Sequence, residues 1–217
     1  MRIIAGELRG RRLSSPAGRD VRPTSDRARE ALFSILEHGQ PPVRGARFLD
    51  LFCGTGAVGL EAFSRGAAEV LLVESNADAL RVATANLERV GAPRNIRLLR
   101  QDATRLGPAP AAFDIVFLDP PYRSGLAAPA LRCLMQGGWL APEVRVVVEL
   151  AADELLELPE GYELEQERRY GTAKFLFLHR RAQASLSAPR SRSGRAPVEG
   201  RRADAAKAAT RHSGSGG

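Results

Sequence analysis

The sequence predicts an α/β fold, a mainly parallel seven-stranded sheet with helices on both faces, preceded by an N-terminal arm and helix. Three observations carry this. From residue 47 onward, short apolar runs alternate with segments of helical periodicity. The first run ends in a glycine-rich turn, Asp50-Leu-Phe-Cys-Gly54-Thr-Gly56-Ala-Val-Gly59. Acids sit where several runs end, the place where ligands bind in open sheets. A chain of 217 residues can bury a core without staples. Its two cysteines, Cys53 and Cys133, exclude a disulfide framework and a cysteine-rich zinc site. No run approaches the roughly 18 apolar residues of a membrane span. The start, MRIIAGELRGRR, lacks the apolar stretch of a secretory signal. A cytoplasmic protein is expected.

In order along the chain, residues 1–22 set Ile3, Ile4, Leu8 and Leu13 among Gly and Arg, which predicts a short hairpin or irregular arm. Pro23 then opens a helix with Thr24, Ser25 and Asp26 as candidate caps. Ala28, Leu32, Ile35 and Leu36 form its buried stripe, with Arg22, Arg27 and Arg29 expected off it. Gly39, Pro41 and Pro42 end it. Strands are expected over 48–53, 70–73, 96–99, 113–118, 144–150, 162–170 and 174–178. Helices are expected over 57–65, 77–90 and 126–136. Residues 182–217 are Ala, Arg, Ser and Gly with almost no large apolar side chains, and read as a disordered tail. The chain divides into 1–40, 41–181 and 182–217.

The net charge of +7 is uneven. Residues 1–29 hold eight arginines against three acids, and residues 182–217 hold six arginines and one lysine against two acids. Both ends therefore carry +5 and the body −3. That pattern points to a polyanion such as nucleic acid. A solvated tail and arginine-rich codon usage would give the same charge, so charge alone leaves the two readings level.

The glycine turn contains G-x-G-x-x-G between a strand and a helix, and Glu74 ends the next strand 15 residues after the last glycine. Gly54 and Gly56 let the backbone approach a ligand, and Glu74 can accept from ribose hydroxyls. On this evidence NAD is a live candidate, and a turn without a ligand is the plain alternative. Two features favour S-adenosylmethionine. Asp50, inside the strand end, suits a ligand with an ammonium and a sulfonium and would repel a pyrophosphate. In Gln101-Asp102-Ala103, Asp102 can accept from an adenine amine while the Ala103 N–H donates to a ring nitrogen. Phe52, within the turn, joins these residues as cofactor-binding.

Asp119-Pro120-Pro121-Tyr122 follows the strand FDIVFL. Two prolines fix φ and remove two donors, so the carbonyls of Asp119 and Pro120 are held outward. An exocyclic amine needs such rigid acceptors, because its lone pair is delocalised into the ring. Bonds to the Asp119 carboxylate and the Pro120 carbonyl would aim it, and the carboxylate would stabilise positive charge developing on nitrogen. Tyr122 can stack on an extruded base. A proline-rich turn is the alternative.

In these residues the chain resembles a class I, Rossmann-like S-adenosylmethionine-dependent methyltransferase carrying the D/N-P-P-Y signature. It is similar in particular to the RsmD family, which methylates the N2 amine of a guanine in 16S ribosomal RNA. The matching segments are MRIIAGELRGRRL (1–13), RPTSDRAREALFSIL (22–36), DLFCGTGAVGLEAFSRGA (50–67), VE (73–74), DPPY (119–122) and YGTAK (170–174). Cys53 stands where many members carry Ala, and the tail has no counterpart. The resemblance implies that segment 1–40 serves RNA recognition, that 41–181 is the methyltransferase core, and that the enzyme acts during ribosome assembly. Arg9, Arg11, Arg12, Arg22 and Arg27 are expected to contact phosphates. No metal is expected, and the three His fall in no motif. Naked RNA and an assembling 30S particle both stay open as substrate, and a monomer is expected. Three alternatives stand beside this reading: a DNA adenine-N6 methyltransferase, a protein glutamine methyltransferase, and a non-enzymatic RNA-binding assembly factor.

Overall fold

The computed structural model describes residues 1–15, 26–91 and 93–181. Pro23, Thr24, Ser25 and the tail from 182 lie outside the described residues. The elements are α1 (Asp26–Glu37), β1 (Arg47–Leu51), α2 (Ala57–Ser64), β2 (Glu69–Glu74), α3 (Ala77–Arg89), β3 (Ile96–Arg100), β4 (Phe113–Leu118), α4 (Ala127–Gln136), β5 (Leu140–Ala151), β6 (Tyr162–Tyr170) and β7 (Ala173–Arg180). The seven strands form one sheet in the order β3-β2-β1-β4-β5-β7-β6. The first five pair in parallel, and β7 is antiparallel to both β5 and β6. This is the mainly parallel seven-stranded architecture expected.

Alternation along the strands divides the core between the two faces. Phe48, Ile115, Phe117, Val147, Phe175 and Phe177 pack on one side with Leu32, Phe33 and Leu36 of α1 and with Val58 and Leu60 of α2. Leu49, Leu51, Val116, Leu118, Val146 and Val148 pack on the other with Ala130, Leu131 and Leu134 of α4 and with Trp139. α3 starts where the Asn76 side chain accepts from the backbone N–H of Asp78 and Ala79, an N-cap. β5 begins at Leu140, earlier than expected, because the register shifts between Phe113↔Leu140 and Ile115↔Arg145 and leaves Pro142 outside the ladder.

The arm folds back on itself. Ile3 N–H donates to the Arg11 carbonyl at 3.0 Å and Leu13 N–H to the Met1 carbonyl at 3.0 Å. It is then fastened to α2. Both oxygens of the Glu61 carboxylate accept arm amides, Oε2 from Ile4 N–H at 2.7 Å and Oε1 from Ala5 N–H at 3.0 Å. Ser64 Oγ accepts from Leu8 N–H at 2.9 Å. Gly6 (φ +81°) lets the arm approach, since a Cβ there would lie 1.8 Å from the Ser64 carbonyl oxygen. Ile3 and Leu13 share the core of Phe48, and the described residues belong to one compact unit.

One expectation about α1 is corrected. Arg29 is not off the buried stripe: it is 1% exposed, while Ile35 is only half-buried and Phe33 is fully buried. Its guanidinium donates to the Arg2 carbonyl at 2.6 Å and to Asp26 at 3.0 Å, and lies 3.8 Å from Glu61, itself 0% exposed. Arg65 completes the cluster, donating to Glu61 Oε1 at 2.8 Å. Burial of charge is tolerated here because Glu61 Oε1 accepts from Ala5 N–H and Arg65, Oε2 accepts from Ile4 N–H, and the Arg29 guanidinium lies beside the carboxylate. Removing one member strands the others. Glu61→Ala is expected to lower stability by about 3–5 kcal/mol, read as a shifted midpoint in urea unfolding; a shift below about 0.5 kcal/mol would mean that the cluster adds nothing.

Candidate active site

Parallel strands bring their carboxyl ends to one edge, and the strand order puts an acid on each of the five. Across β3-β2-β1-β4-β5 these are Asp102, Glu74, Asp50, Asp119 and Glu149. Leu51 is paired with Leu118, and Leu118 with Val148, so Asp119 and Glu149 are the next residues along neighbouring strands. The row therefore joins every acid singled out in the sequence to one that was not, Glu149.

The turn after β1 is held by two of these carboxylates. Phe52 (φ 59°), Gly54 (φ 54°) and Gly56 (φ 75°) carry the chain through left-handed conformations. Asp50 Oδ2 accepts the Gly59 N–H at 2.9 Å. Glu74 Oε2 accepts the Gly54 N–H at 2.9 Å, while Oε1 accepts those of Ser75 and Asn76 at 2.8 Å each. Gly59 is needed for packing: a Cβ would lie 2.2 Å from Leu72 Cδ2. Gly54 is different. A Cβ there would meet only the Phe52 carbonyl oxygen, at 4.0 Å, so this side of the turn faces open space. Beyond β3, Asp102 is exposed, with Oδ1 accepting from Thr104 N–H at 2.8 Å and Thr104 Oγ1 at 2.7 Å, and Ala103 is buried.

The DPPY segment is fixed at both ends. Asp119 N–H donates to the Leu51 carbonyl at 3.3 Å. Pro120 is buried, Pro121 exposed and Tyr122 half-buried, its hydroxyl donating to Glu149 Oε1 at 3.0 Å. Arg123 (φ 57°) donates its N–H to Glu154 at 2.9 Å and its guanidinium to both oxygens of Asp153, at 2.8 and 2.9 Å. Those bonds pin the segment to the chain leaving β5. Glu149 left one signal in the sequence, an acid inside the otherwise apolar run VVVEL, and its meaning depends on a partner 27 residues away.

Burial dominates the electrostatics. It pushes the Asp50 carboxyl up to about 7, with Glu74 adding to the rise and the Gly59 N–H opposing it. Burial, then the charges of Glu149 and Asp50, hold Asp119 well above the usual carboxylate range. The Asp102 carboxyl is held below it by its bonds from Thr104. Cys53 is buried and its thiol pushed well above its ordinary value by burial, so it is an inert core residue. Cys133 is engaged with the Leu106 backbone. Among the described residues no group of three or more His, Cys, Asp or Glu is placed to hold a metal ion. Nor is any described helix long and apolar enough to cross a membrane.

Of the arginines, Arg9, Arg11 and Arg12 stand exposed on the arm and Arg27 exposed on α1. Arg11 donates to the Arg89 carbonyl at 3.2 Å. Arg22 lies outside the described residues.

The donor set suits a cation. Asp50 and Glu74 hold the turn beside open backbone at Gly54, a setting that fits the sulfonium and ammonium of S-adenosylmethionine and opposes a pyrophosphate, while Asp119 and Glu149 lie on the adjoining strands. The family described as Conserved hypothetical protein 95 matches residues 1–179. The chain is 37% identical over 190 residues to Ribosomal RNA small subunit methyltransferase D of Escherichia coli (strain K12), covering 87% of this chain and 94% of that protein. It is 34% identical over 179 residues to the Haemophilus influenzae protein of the same name, covering 81% and 91%. Among solved structures it is similar to a putative methyltransferase from Escherichia coli, yhhF, with a TM-score of 0.73 and 37% identity over 84% of this chain and 99% of that one.

A raised carboxyl is less easily ionised, and a cation binds the ionised form. Affinity for S-adenosylmethionine is therefore expected to rise with pH, by at most about tenfold per unit below 7, and to level off above. Calorimetric titration between pH 5.5 and 8.5 measures this; a flat profile would remove Asp50 from cation recognition.

Proposed function

This chain belongs to the RsmD family of S-adenosylmethionine-dependent ribosomal RNA methyltransferases, and from that premise we propose that it methylates the exocyclic N2 amine of a guanine in small-subunit ribosomal RNA. The observation that carries the finer reading is the neighbouring pair Asp119 and Glu149 beside two prolines and a tethered tyrosine. When ionised, carboxylates offer acceptors only. On the Watson–Crick edge of guanine the N2 amine has N1–H, a second donor, as its neighbour and the O6 acceptor lies beyond it, whereas adenine sets a ring acceptor directly beside its amine. An acceptor-only wall supports guanine over adenine.

Asp50, Phe52, Gly54, Gly56, Glu74, Asp102 and Ala103 would hold S-adenosylmethionine. When bound, that group supplies an activated methyl on a sulfonium, a transfer favourable enough to need neither metal nor strong base. The chain's own task is positioning. Asp119 and the Pro120 carbonyl accept the amine protons and aim the nitrogen. Pro121 keeps the carbonyls from turning. Glu149 fixes the Tyr122 hydroxyl and so the plane of the ring on which a base can stack. Asp119 then offsets the positive charge that develops on nitrogen and takes up the released proton.

On the RNA side, Arg9, Arg11, Arg12, Arg22 and Arg27 would neutralise phosphates. The large apolar side chains exposed among the described residues are Leu99, Leu155 and Leu164, from three separate segments, which supports a monomer. We extend the reading to the cytoplasm as its place and to an assembling 30S particle as the substrate. Two measurements test it. Asp119→Ala should reduce methyl transfer to small-subunit RNA by about 100-fold or more while leaving S-adenosylmethionine affinity largely unchanged; wild-type turnover would refute the catalytic role. Arg11→Glu with Arg12→Glu should weaken RNA binding and flatten its salt dependence by about two in log–log slope, measured by filter binding from 50 to 200 mM salt; an unaltered slope would take the arm out of the interface.

A further inference from the structure

We infer that Asn86 is a positioning residue that couples the cofactor turn to the RNA-binding arm, so that filling one site strengthens the other. The inference rests on the function proposed above. Asn86 is 0% exposed, and α3 buries only one other residue, Ala83. An asparagine in that place is no packing choice, because a buried amide is tolerated only when its hydrogen bonds are made. Its bonds join two segments that are distant in sequence. Oδ1 accepts the Ser14 N–H at 2.7 Å, and Nδ2 donates to the Ser14 carbonyl at 3.2 Å. Nδ2 also donates to the Thr55 carbonyl at 2.9 Å. With Ser14 the side-chain amide thus makes the reciprocal pair that neighbouring strands make, and with Thr55 it reaches the middle of the Gly54-Thr55-Gly56 turn.

The turn is held from its other side by Glu74, which accepts the Gly54 N–H. One peptide stretch therefore lies between the acid assigned to the cofactor ribose and the amide that grips the arm. Thr55 makes a second link, its hydroxyl lying 3.8 Å from Met1 Sδ as donor. Ser14 is two residues past Arg12 in the chain, and Arg11 is tied to the Arg89 carbonyl at the end of the same helix. A ligand that restrains Gly54 and Thr55 restrains Asn86, and with it Ser14. RNA then meets an arm with less freedom left to lose, and the linkage is reciprocal.

The test uses the whole protein, S-adenosylhomocysteine as the cofactor probe, and small-subunit particles from cells lacking the enzyme as the source of RNA. Saturating S-adenosylhomocysteine should tighten RNA binding by about fivefold or more, and saturating RNA should tighten S-adenosylhomocysteine binding by the same factor. Asn86→Asp keeps the acceptor for Ser14 N–H and loses both donated bonds. Its ratio should fall to about one, which a residue that merely stabilised the helix would not cause. Ser14→Pro removes the N–H from the arm side without touching α3 and should also reduce the ratio, so a failure of Asn86→Asp to fold leaves the idea testable. Equal wild-type RNA affinity with and without S-adenosylhomocysteine overturns the coupling. A full ratio in a folded Asn86→Asp overturns the residue assignment. A wild-type protein that methylates RNA but shows no coupling refutes only this inference; one that neither binds S-adenosylhomocysteine nor methylates RNA refutes the proposed function with it.

Discussion

A strand that turns sharply into a helix leaves backbone amides in need of acceptors, and here carboxylates supply them. Asp50 takes the Gly59 N–H, and Glu74 takes those of Gly54, Ser75 and Asn76. The turn is made possible by charges that the same edge must then accommodate. Asp119 and Glu149 add two more on the adjoining strands. Burial, with neighbouring charges adding to it, raises Asp50 and Asp119 above the usual carboxylate range. The edge is left short of positive charge, the setting proposed for a cationic methyl donor. Fold and ligand preference thus follow from one requirement, the satisfaction of amides at a strand end.

The opposite ends of the same helices answer a second need. α2 begins beside the glycine turn and uses Glu61 and Ser64, near its end, to hold the arm. α3 is capped by Asn76, next to Glu74, and one of its inner residues, Asn86, reaches both arm and turn. Arg29 and Arg65 balance the charge of Glu61. The arm proposed to recognise RNA is therefore built on the backs of the helices that frame the glycine turn, rather than on an independent module.

How much of this the sequence displays depends on the distance over which each residue finds its reason. The glycine turn and DPPY are legible because they break local rules: clustered glycines after an apolar run, and two prolines where a strand would otherwise continue. The acids at strand ends are legible because apolar runs stop there. Arg29 is not, since a helical wheel places an arginine outside, and its burial depends on the Arg2 carbonyl in the arm and on Glu61 of another helix as well as on Asp26 nearby. Glu149 hides for the same reason, its partner being the Tyr122 hydroxyl. Asn86 reads as an ordinary polar residue of a surface helix until Ser14 and Thr55 are seen beside it. The early start of β5 is masked by Pro142, which the register shift accommodates. Local grammar exposes backbone irregularities; paired polar burial between distant segments leaves no local trace.

The placing of β7 between β5 and β6 has a consequence for the chain as it is made. β5 carries Val146, Val147 and Val148, and its free edge is covered by Ala173–Arg180, among the last described residues to be synthesised. Until that strand arrives, the nascent protein exposes an unpaired, β-branched strand edge able to recruit other chains. Translation that stops before residue 173 would leave a sticky fragment rather than a smaller enzyme.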